Sequence, residues 1–456
     1  MQFVPSDHVR AAFSATMSAM YRTEVPLYGD LLDIVAGINA AVLERDDGLR
    51  QSLASADELD RLDSERHGAI RVGTAEELRL LRRAFALMGM KPVGYYDLTV
   101  AGVPVHSTAF RPVELEALQH SPFRVFTSLL RLDLIEDADL RREAGELLGA
   151  RRIASSRAVD LVETGERQGG LDPAQADEFV AEAVDIFRWH SEANVPLDTY
   201  GRLKQAHPLI ADVVSFKGPH INHLTPRVLD IDAAHAEMQR RGMEAKAVIE
   251  GPPRRAVPIL LRQTSFKALE ESVQFPGAIS LSDGTHTARF GEIEQRGVAL
   301  TPAGRALYDS CLDEARGQGG SQALDYPDRL SAAFARFPDD LQALRQQKLA
   351  HFRYTVTAEG RDNGKGDAGR DPERWIAEGW AEAYPLVYED FLPVSAAGIF
   401  QSNLGGQEQG AYAGKSSQDA FERALGTPVL DPFMLYEAIE QASLEAAAKA
   451  VGAAVQ

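Results

Sequence analysis

Apolar side chains recur at helical spacing through the first sixty residues of the chain. The residues concerned are Ala11, Met17, Met20, Leu27, Leu31, Ile34 and Ile38. Steps of three, four and seven residues place side chains on one face of a helix. The segment is also poor in glycine. Residues 5 to 62 are therefore predicted to form helices that pack against a larger module.

The pattern changes near residue 65, where a short apolar run predicts a strand up to Thr74. Thr74 followed by Glu77 resembles a capping box and predicts an amphipathic helix that continues to Met90. Two alternating runs then predict a pair of strands separated by Ala101-Gly102. These runs are residues 93 to 100 and 103 to 110. The predicted order is β-α-β-β.

A similar order recurs after residue 218. A strand is predicted at residues 220 to 228, followed by a helix in which Asp230 or Asp232 caps the N-terminus and Gly242 ends the last turn. Further strands are predicted at residues 247 to 249 and 259 to 262, and a hairpin joins 279 to 281 with 286 to 296 around Asp283-Gly284. The repetition indicates an internal duplication of a β-α-β-β unit within a mixed sheet.

The remaining segments are mostly helical. Helices are predicted within residues 112 to 211, most clearly at 176 to 189, and at 301 to 316, 330 to 349 and 435 to 450; loops are predicted at 164 to 173 and 358 to 372, and a strand at 351 to 357. Since we find no proline- or serine-rich linker between independent domains, a single helix-decorated domain is predicted.

The composition limits the classes of function. Apolar residues make up 45% of the 456 residues and charged residues 25%, as in a globular protein with a substantial core. The net charge of −19 argues against binding to nucleic acid. The only cysteine, Cys311, excludes an internal disulfide and a cysteine-based zinc cluster, and is expected in the core. We expect no signal segment and no membrane span, and hence a cytoplasmic protein.

Four side chains with metal or anion chemistry fall on the predicted strands. His67 and Arg71 lie four residues apart and share a face in a strand or a helix. His220 and His223 lie three apart, so on a strand they face opposite sides. His223 is favoured for the pocket because it lies in the strand proper, and His220 is expected to act locally or behind the metal ligands.

The third candidate stretch is residues 287 to 297. Glu292 and Glu294 share a strand face with Phe290 and Ala288, and a carboxylate on a partly apolar face needs a cation or a metal as partner. Two imidazoles and one carboxylate suit non-haem Fe(II), although zinc accepts the same donors. Residues 364 to 369 match G-x-G-x-x-G, but their polar loop setting argues against a dinucleotide site.

Several of these stretches resemble known proteins. Residues 223 to 230 resemble the opening strand of a vicinal-oxygen-chelate module. Phe290-Gly291-Glu292-Ile293-Glu294-Gln295-Arg296 is similar to the stretch that carries the metal glutamate in 4-hydroxyphenylpyruvate dioxygenase. With residues 65 to 71 and 391 to 400, the whole chain more closely resembles the 2-oxoadipate dioxygenase/decarboxylase family.

The resemblance implies a site and a reaction. His67, His223 and Glu292 would hold Fe(II), with Glu292 rather than Glu294 as the carboxylate ligand. His67 and Arg71 would also contact the substrate, a 2-oxo dicarboxylic acid, and Arg71 would bind its second carboxylate. Val394 and Ser395 would line the far end of the pocket. The expected reaction uses O2 to convert 2-oxoadipate into 2-hydroxyglutarate and CO2, in lysine breakdown.

The resemblance also implies an α+β fold, with a vicinal-oxygen-chelate-like sheet built from two β-α-β-β(-β) units. The expected segments are a helical part at residues 1 to 64, a first unit at 65 to 135, a helical insertion at 136 to 215, a second unit at 216 to 298 and a mostly helical part at 299 to 456. The alternatives are a glyoxalase-like zinc or nickel isomerase or hydrolase of the same fold, and a non-catalytic binding protein.

Overall fold

The computed structural model describes residues 2–266, 270–277, 284–287, 289–317, 325–363, 371–392 and 417–452. Its helices are α1 (Ser6–Glu24), α2 (Pro26–Arg45), α3 (Asp47–Ser55), α4 (Ala75–Leu87), α5 (Leu115–His120), α6 (Ala138–Ala150), α7 (Ser156–Gln168), α8 (Pro173–Asp185), α9 (Leu197–Ala206), α10 (Pro208–Ser215), α11 (Ile231–Arg240), α12 (Pro302–Arg316), α13 (Tyr326–Phe334), α14 (Leu341–Gln346), α15 (Ala358–Asn363), α16 (Pro372–Ala377), α17 (Gln418–Leu425) and α18 (Pro432–Ala450). Its strands are β1 (Arg66–Val72), β2 (Lys91–Asp97), β3 (Val105–Arg111), β4 (Arg124–Leu130), β5 (His223–Pro226), β6 (Leu261–Phe266), β7 (Glu271–Ser272), β8 (Thr285–His286), β9 (Gly291–Arg296), β10 (Phe352–Val356) and β11 (Ala381–Pro385). The chain is thus a mixed α+β fold, as predicted.

A five-stranded mixed sheet has the order β2-β3-β4-β1-β5. Strand β1 is parallel to β4, whereas β2 and β4 are both antiparallel to β3. The prediction missed β4, which it placed in a helical region. All seven residues of β4 are buried, and a short run without alternation cannot be distinguished from a buried helix by periodicity.

The second unit begins with β5, α11 and β6, and β6 pairs antiparallel with β9. A parallel bridge from Arg227 to Glu294 joins the end of β5 to β9. The strand predicted at residues 247 to 249 is wrong: the chain there makes only isolated bridges, from Ala245 to Phe266 and from Glu250 to Gln263. The predicted Asp283-Gly284 turn lies partly outside the described residues, which omit 278 to 283.

Strands β1 and β5 pair antiparallel and so join the two units. In this register Ala69 lies opposite His223, and His67 lies opposite Thr225. This pairing brings one predicted histidine from each unit into the same part of the sheet.

The N-terminal helices are confirmed, and α1 contacts the strands directly. Phe13, Met17 and Tyr21 are buried on one face of α1. The Tyr21 hydroxyl lies within hydrogen-bond distance of two backbone oxygens, those of Asn222 (3.0 Å) and Phe290 (2.9 Å). Helix α1 therefore ties together the chain just before His223 and the chain just before Glu292.

One expectation about membranes needs correction, because α2 is long and apolar enough to cross a membrane by length and composition. Its face with Tyr28, Leu31, Ile34 and Val35 is buried in the largest apolar cluster. A core helix of a folded domain passes the same test of length and composition, and α2 packs against α1 and α11.

Other boundaries differ locally from the prediction. Helix α7 runs through the predicted loop at 164 to 173 as far as Gln168, and the predicted helix at 330 to 349 is divided into α13 and α14. Helix α15 occupies the start of the predicted loop at 358 to 372. The predicted caps are confirmed at Thr74 and Asp230, which accept from backbone N–H groups, and Gly242 has a φ of +77°.

Strands β4 and β9, together with segments before and after them, contribute to a group of buried charges, here called the buried ion network. Its members are Glu58, Arg61, Glu65, Arg124, Arg227, Glu294, Arg296 and Glu389. Arg124 is paired with Glu65 and Glu389, while Arg227 is paired with Glu65 at 3.0 Å and Glu58 at 3.1 Å. Four arginines and four glutamates balance one another, as buried charges require.

Candidate metal centre

Strand β1 supplies His67 and Arg71, which are 1% and 3% exposed. The alternation of the strand places residues four apart on the same face, as predicted. The two side chains contact different carboxylates. His67 lies beside Glu292 and Glu294, whereas Arg71 donates to Asp212 on α10 at 2.6 Å.

His67, His223 and Glu292, the three residues that the family resemblance implies, lie close together and are called here the His67 group. One nitrogen or oxygen of each lies within 4.8 Å of the others, and all three are buried. The imidazole rings of His67 and His223 meet edge to face at 5.3 Å. A donor set of two imidazoles and one carboxylate fits a mononuclear Fe(II) or Zn²⁺ ion.

The two glutamates of β9 have different surroundings. Glu292 Oε1 lies 3.1 Å from His67 Nε2 and accepts from Thr225 Oγ1 at 2.9 Å and Gln263 Nε2 at 3.1 Å. Arg296 instead donates to both oxygens of Glu294, at 2.8 and 2.9 Å. Because the charge of Glu294 is already balanced by a guanidinium, Glu292 is the better carboxylate for a cation.

Neighbouring groups orient both imidazoles of the His67 group. His67 Nδ1 lies 3.0 Å from Glu294 Oε2, and His223 Nδ1 lies 2.9 Å from Thr225 Oγ1. In metal sites a partner on one ring nitrogen fixes the tautomer that presents the other to the ion. Glu294 and Thr225 are suited to this role, which their positions in the sequence did not predict.

Burial and neighbouring charges set the protonation of these groups. Burial lowers the pKa of His223 to about 4, so this ring is neutral near pH 7, as a metal ligand must be. Burial alone would lower the pKa of His67, but Glu294 and Glu292 raise it above its ordinary value. Burial would raise the pKa of Glu292, but His223 and His67 lower it. The carboxylate of Glu292 therefore carries a negative charge that a cation can balance, and a cation that binds there takes the place of the proton that His67 favours.

Aromatic rings cover the centre. The ring of Phe290 lies against that of His223 at 4.7 Å, and Phe391 meets His67 edge to face at 4.9 Å. Both phenylalanines are buried. These contacts exclude water from the imidazoles and hold them in place.

A second buried group of the same residue types lies nearby. Asp212, His220 and His286, here called the Asp212 group, also bring one nitrogen or oxygen each within 4.8 Å of one another. From the sequence, His220 is expected behind the metal ligands rather than among them. Asp212 and His286 were not predicted, because an aspartate within an apolar helix and a histidine beside a hairpin carry no recognisable spacing.

Two predicted substrate residues, Val394 and Ser395, lie outside the described residues, as does the glycine motif at 364 to 369. Their assignment stays a prediction. Cys311 is buried in a cluster formed mainly by C-terminal elements, as expected.

Fold and centre together define an α+β protein with a buried candidate site for one metal ion, made by two histidines and a glutamate. The family model described as 2-oxoadipate dioxygenase/decarboxylase matches residues 13–403. The chain belongs to this family of enzymes.

Individual relatives agree with this assignment along nearly the whole chain. A protein of Escherichia coli (strain K12) named 2-oxoadipate dioxygenase/decarboxylase is 57% identical over 96% of this chain and 98% of its own length. One of the same name from Pseudomonas putida is 55% identical over 98% of each chain. The crystal structure of the Pseudomonas putida hydroxyglutarate synthase in complex with 2-oxoadipate has a TM-score of 0.92 and 54% identity, and covers 99% of both chains.

Proposed function

We propose that this chain is an Fe(II)-dependent dioxygenase that converts 2-oxoadipate and O2 into 2-hydroxyglutarate and CO2. The observation that carries the proposal is the His67 group, with Arg71 four residues further along β1 and on the same face. The reaction balances, because one oxygen atom enters the new carboxylate and the other the new hydroxyl. Its expected place is lysine breakdown in the cytoplasm.

His67, His223 and Glu292 would hold the metal. Fe(II), when bound, supplies electrons to O2 and a positive charge on which the 2-oxo acid end of the substrate chelates. The donors of this chain would be two imidazoles and one carboxylate, a set that leaves positions for substrate and O2. Glu294 and Thr225 would keep His67 and His223 in the tautomers that binding requires.

Arg71 would bind the distal carboxylate of the substrate. A guanidinium keeps its charge in a buried site and offers a planar set of N–H donors that matches a carboxylate. Arg71 follows His67 by four residues on β1, so the two side chains share a face of the sheet, which supports this role. The separation of the two residues would select a substrate with a carboxylate at each end.

Phe290 and Phe391 would protect the reaction from water. Their rings cover the imidazoles of His223 and His67. A dry site strengthens the attraction between Arg71 and the substrate carboxylate, and it prevents loss of reactive oxygen species to side reactions.

We further propose that the fold consists of two vicinal-oxygen-chelate-like units within one catalytic domain. In support, each unit has a first strand parallel to its last: β1 to β4, and β5 to β9 through the Arg227–Glu294 bridge. The last strand then pairs antiparallel with the preceding long strand, β3 or β6. The buried ion network connects the segments before, within and after the two units.

The proposal is tested with metal-free protein reloaded with Fe(II), Zn²⁺ or Ni²⁺. With Fe(II), an oxygen electrode should record O2 uptake that depends on 2-oxoadipate, with one 2-hydroxyglutarate formed per O2. Absence of uptake with any 2-oxo acid in the iron-loaded protein would contradict the proposal. An O2-independent reaction with Zn²⁺ or Ni²⁺ would instead support a glyoxalase-like isomerase or hydrolase.

A further inference from the structure

The carboxylate of Asp212 connects Arg71 to two histidines. Arg71 Nη1 donates to Asp212 Oδ2 at 2.6 Å. The other oxygen, Oδ1, lies 2.8 Å from His286 Nε2 and 3.1 Å from His220 Nε2. Asp212, His220 and His286 are each 3 to 4% exposed. The aspartate therefore contacts a cation on one side and two imidazoles on the other.

His286 is itself held in a fixed orientation. Its Nδ1 lies 2.9 Å from the hydroxyl of Tyr200, and its ring is parallel to that of Trp189 at 5.9 Å. Burial, together with Asp212, raises the pKa of Tyr200 to about 12, so the hydroxyl keeps its proton and can donate to Nδ1. His286 then carries its proton on Nε2 and donates it to Asp212.

The charges favour a hydrogen-bonded support over a second metal ion. Burial alone would raise the pKa of Asp212, but His220, Arg71 and His286 hold it well below its ordinary value. The negative charge of Asp212 is thus balanced by the guanidinium of Arg71. A divalent ion between Asp212 and the histidines would lie next to this guanidinium, and the two positive charges would repel each other.

We propose that Asp212 is a positioning residue that fixes the guanidinium of Arg71 for the distal carboxylate of the substrate, with His286, His220 and Tyr200 holding Asp212. This inference rests on the proposed function, since it needs a substrate with two carboxylates. Asp212 acts through Arg71 and thereby determines the preference for 2-oxo dicarboxylic acids over 2-oxo acids with one carboxylate.

The test compares 2-oxoadipate with 2-oxohexanoate, which has the same number of carbons and no distal carboxylate. D212N keeps the shape of the side chain and removes its charge. We expect KM for 2-oxoadipate to rise about tenfold with little change in kcat, because a charge-assisted hydrogen bond to Arg71 is lost. KM for 2-oxohexanoate should change less than about twofold. D212E, which retains a carboxylate, should recover part of the preference.

A matched control is E77Q. Glu77 is paired with Arg151 at 2.7 Å, and the two side chains are 6% and 3% exposed. E77Q should lower thermal stability without changing the ratio of the two KM values. If D212N does not fold, Y200F tests the same series of hydrogen bonds at the end furthest from Arg71. A smaller change in the ratio of the two KM values is expected in Y200F.

Each of the following outcomes would overturn the inference. Equal losses with both substrates in D212N would make Asp212 a structural residue only. A wild-type protein that binds two metal ions, one of which D212N loses, would make Asp212 a metal ligand. A wild-type protein that neither turns over nor binds 2-oxoadipate would remove the proposed function as well, whereas normal wild-type turnover with an unchanged ratio in D212N would remove the positioning role alone.

Discussion

The His67 group and the Asp212 group contain the same kinds of side chain, yet they suit different partners. Each has two buried histidines and one buried carboxylate. They differ in what balances the carboxylate. Asp212 is paired with the guanidinium of Arg71, whereas Glu292 accepts from the uncharged side chains of Thr225 and Gln263 and lies beside His67. What distinguishes a cation site from a support for an arginine is therefore whether a guanidinium already balances the carboxylate, and not the types of residue in the group.

The strongest test of this comparison replaces His223 and His220, which lie three residues apart, separately by alanine. H223A should lose bound metal and turnover, because two ligands hold an ion poorly at a buried site. H220A should keep about one metal ion per chain, as its ring contacts Asp212 instead. Metal analysis of both purified variants gives the result. Metal retained in H223A and lost in H220A would reverse the assignment of the two groups.

Replacing Arg71 should affect one substrate far more than another. In R71A, kcat/KM for 2-oxoadipate should fall about 100-fold, since the hydrogen bonds of a charged pair contribute about 1.5–3 kcal/mol each. The value for 2-oxohexanoate should change only a few-fold, while bound iron stays unchanged. Steady-state kinetics with both acids measures the difference. Equal losses would show that Arg71 does not bind the distal carboxylate.

Replacing Glu294 and Glu292 in turn distinguishes the roles of the two carboxylates on β9. E294Q should weaken metal binding about tenfold, the lower end of the effect seen for groups that orient a ligand. E292Q, which alters a proposed ligand, should weaken it much more. Competition with a chelator gives both affinities. A larger effect in E294Q would mean that Glu294 is the ligand and that Arg296 does not compensate its charge in the metal-bound protein.

The smallest effects are expected where one hydroxyl supports each group. T225V removes the donor to Glu292 and the partner of His223 Nδ1. It should lower metal affinity about fivefold, because two hydrogen bonds at the lower end of their range contribute about 0.5 kcal/mol each. Y200F should leave metal affinity unchanged and should instead raise KM for 2-oxoadipate by a few-fold. Each group is thus tested by its own measurement, metal affinity in T225V and KM in Y200F. A similar loss of metal affinity in both variants would show that the two groups form one site.

Sequence patterns predicted the strands that carry His67 and Glu292, from a short apolar run before Thr74 and from the Asp283-Gly284 turn signal before β9. The shared face of Glu292 and Glu294 follows from strand alternation, and both residues indeed contact His67. Asp212 could not be predicted, because its contact with His286 joins residues 74 positions apart across a helix and a short strand. Nothing in the spacing of either residue indicates that contact.

Local packing explains the errors in the fold. Gly165 suggested a loop, yet it lies inside α7, where an added Cβ would come within 2.8 Å of Leu87. The glycine permits close packing of two helices instead of ending one. Strand β4 was not predicted because both of its faces are buried, so that its sequence shows no alternation of apolar and polar positions.

The buried ion network has a consequence for how the chain unfolds. Arg61 comes from the N-terminal part, Arg124 from the first unit, Arg227 from the second and Glu389 from the C-terminal part, and each is paired with a residue of another part. Loss of any part would leave an uncompensated charge in the interior, which is strongly unfavourable. Detaching one segment should therefore destabilise the rest, so that the chain melts cooperatively in a single transition.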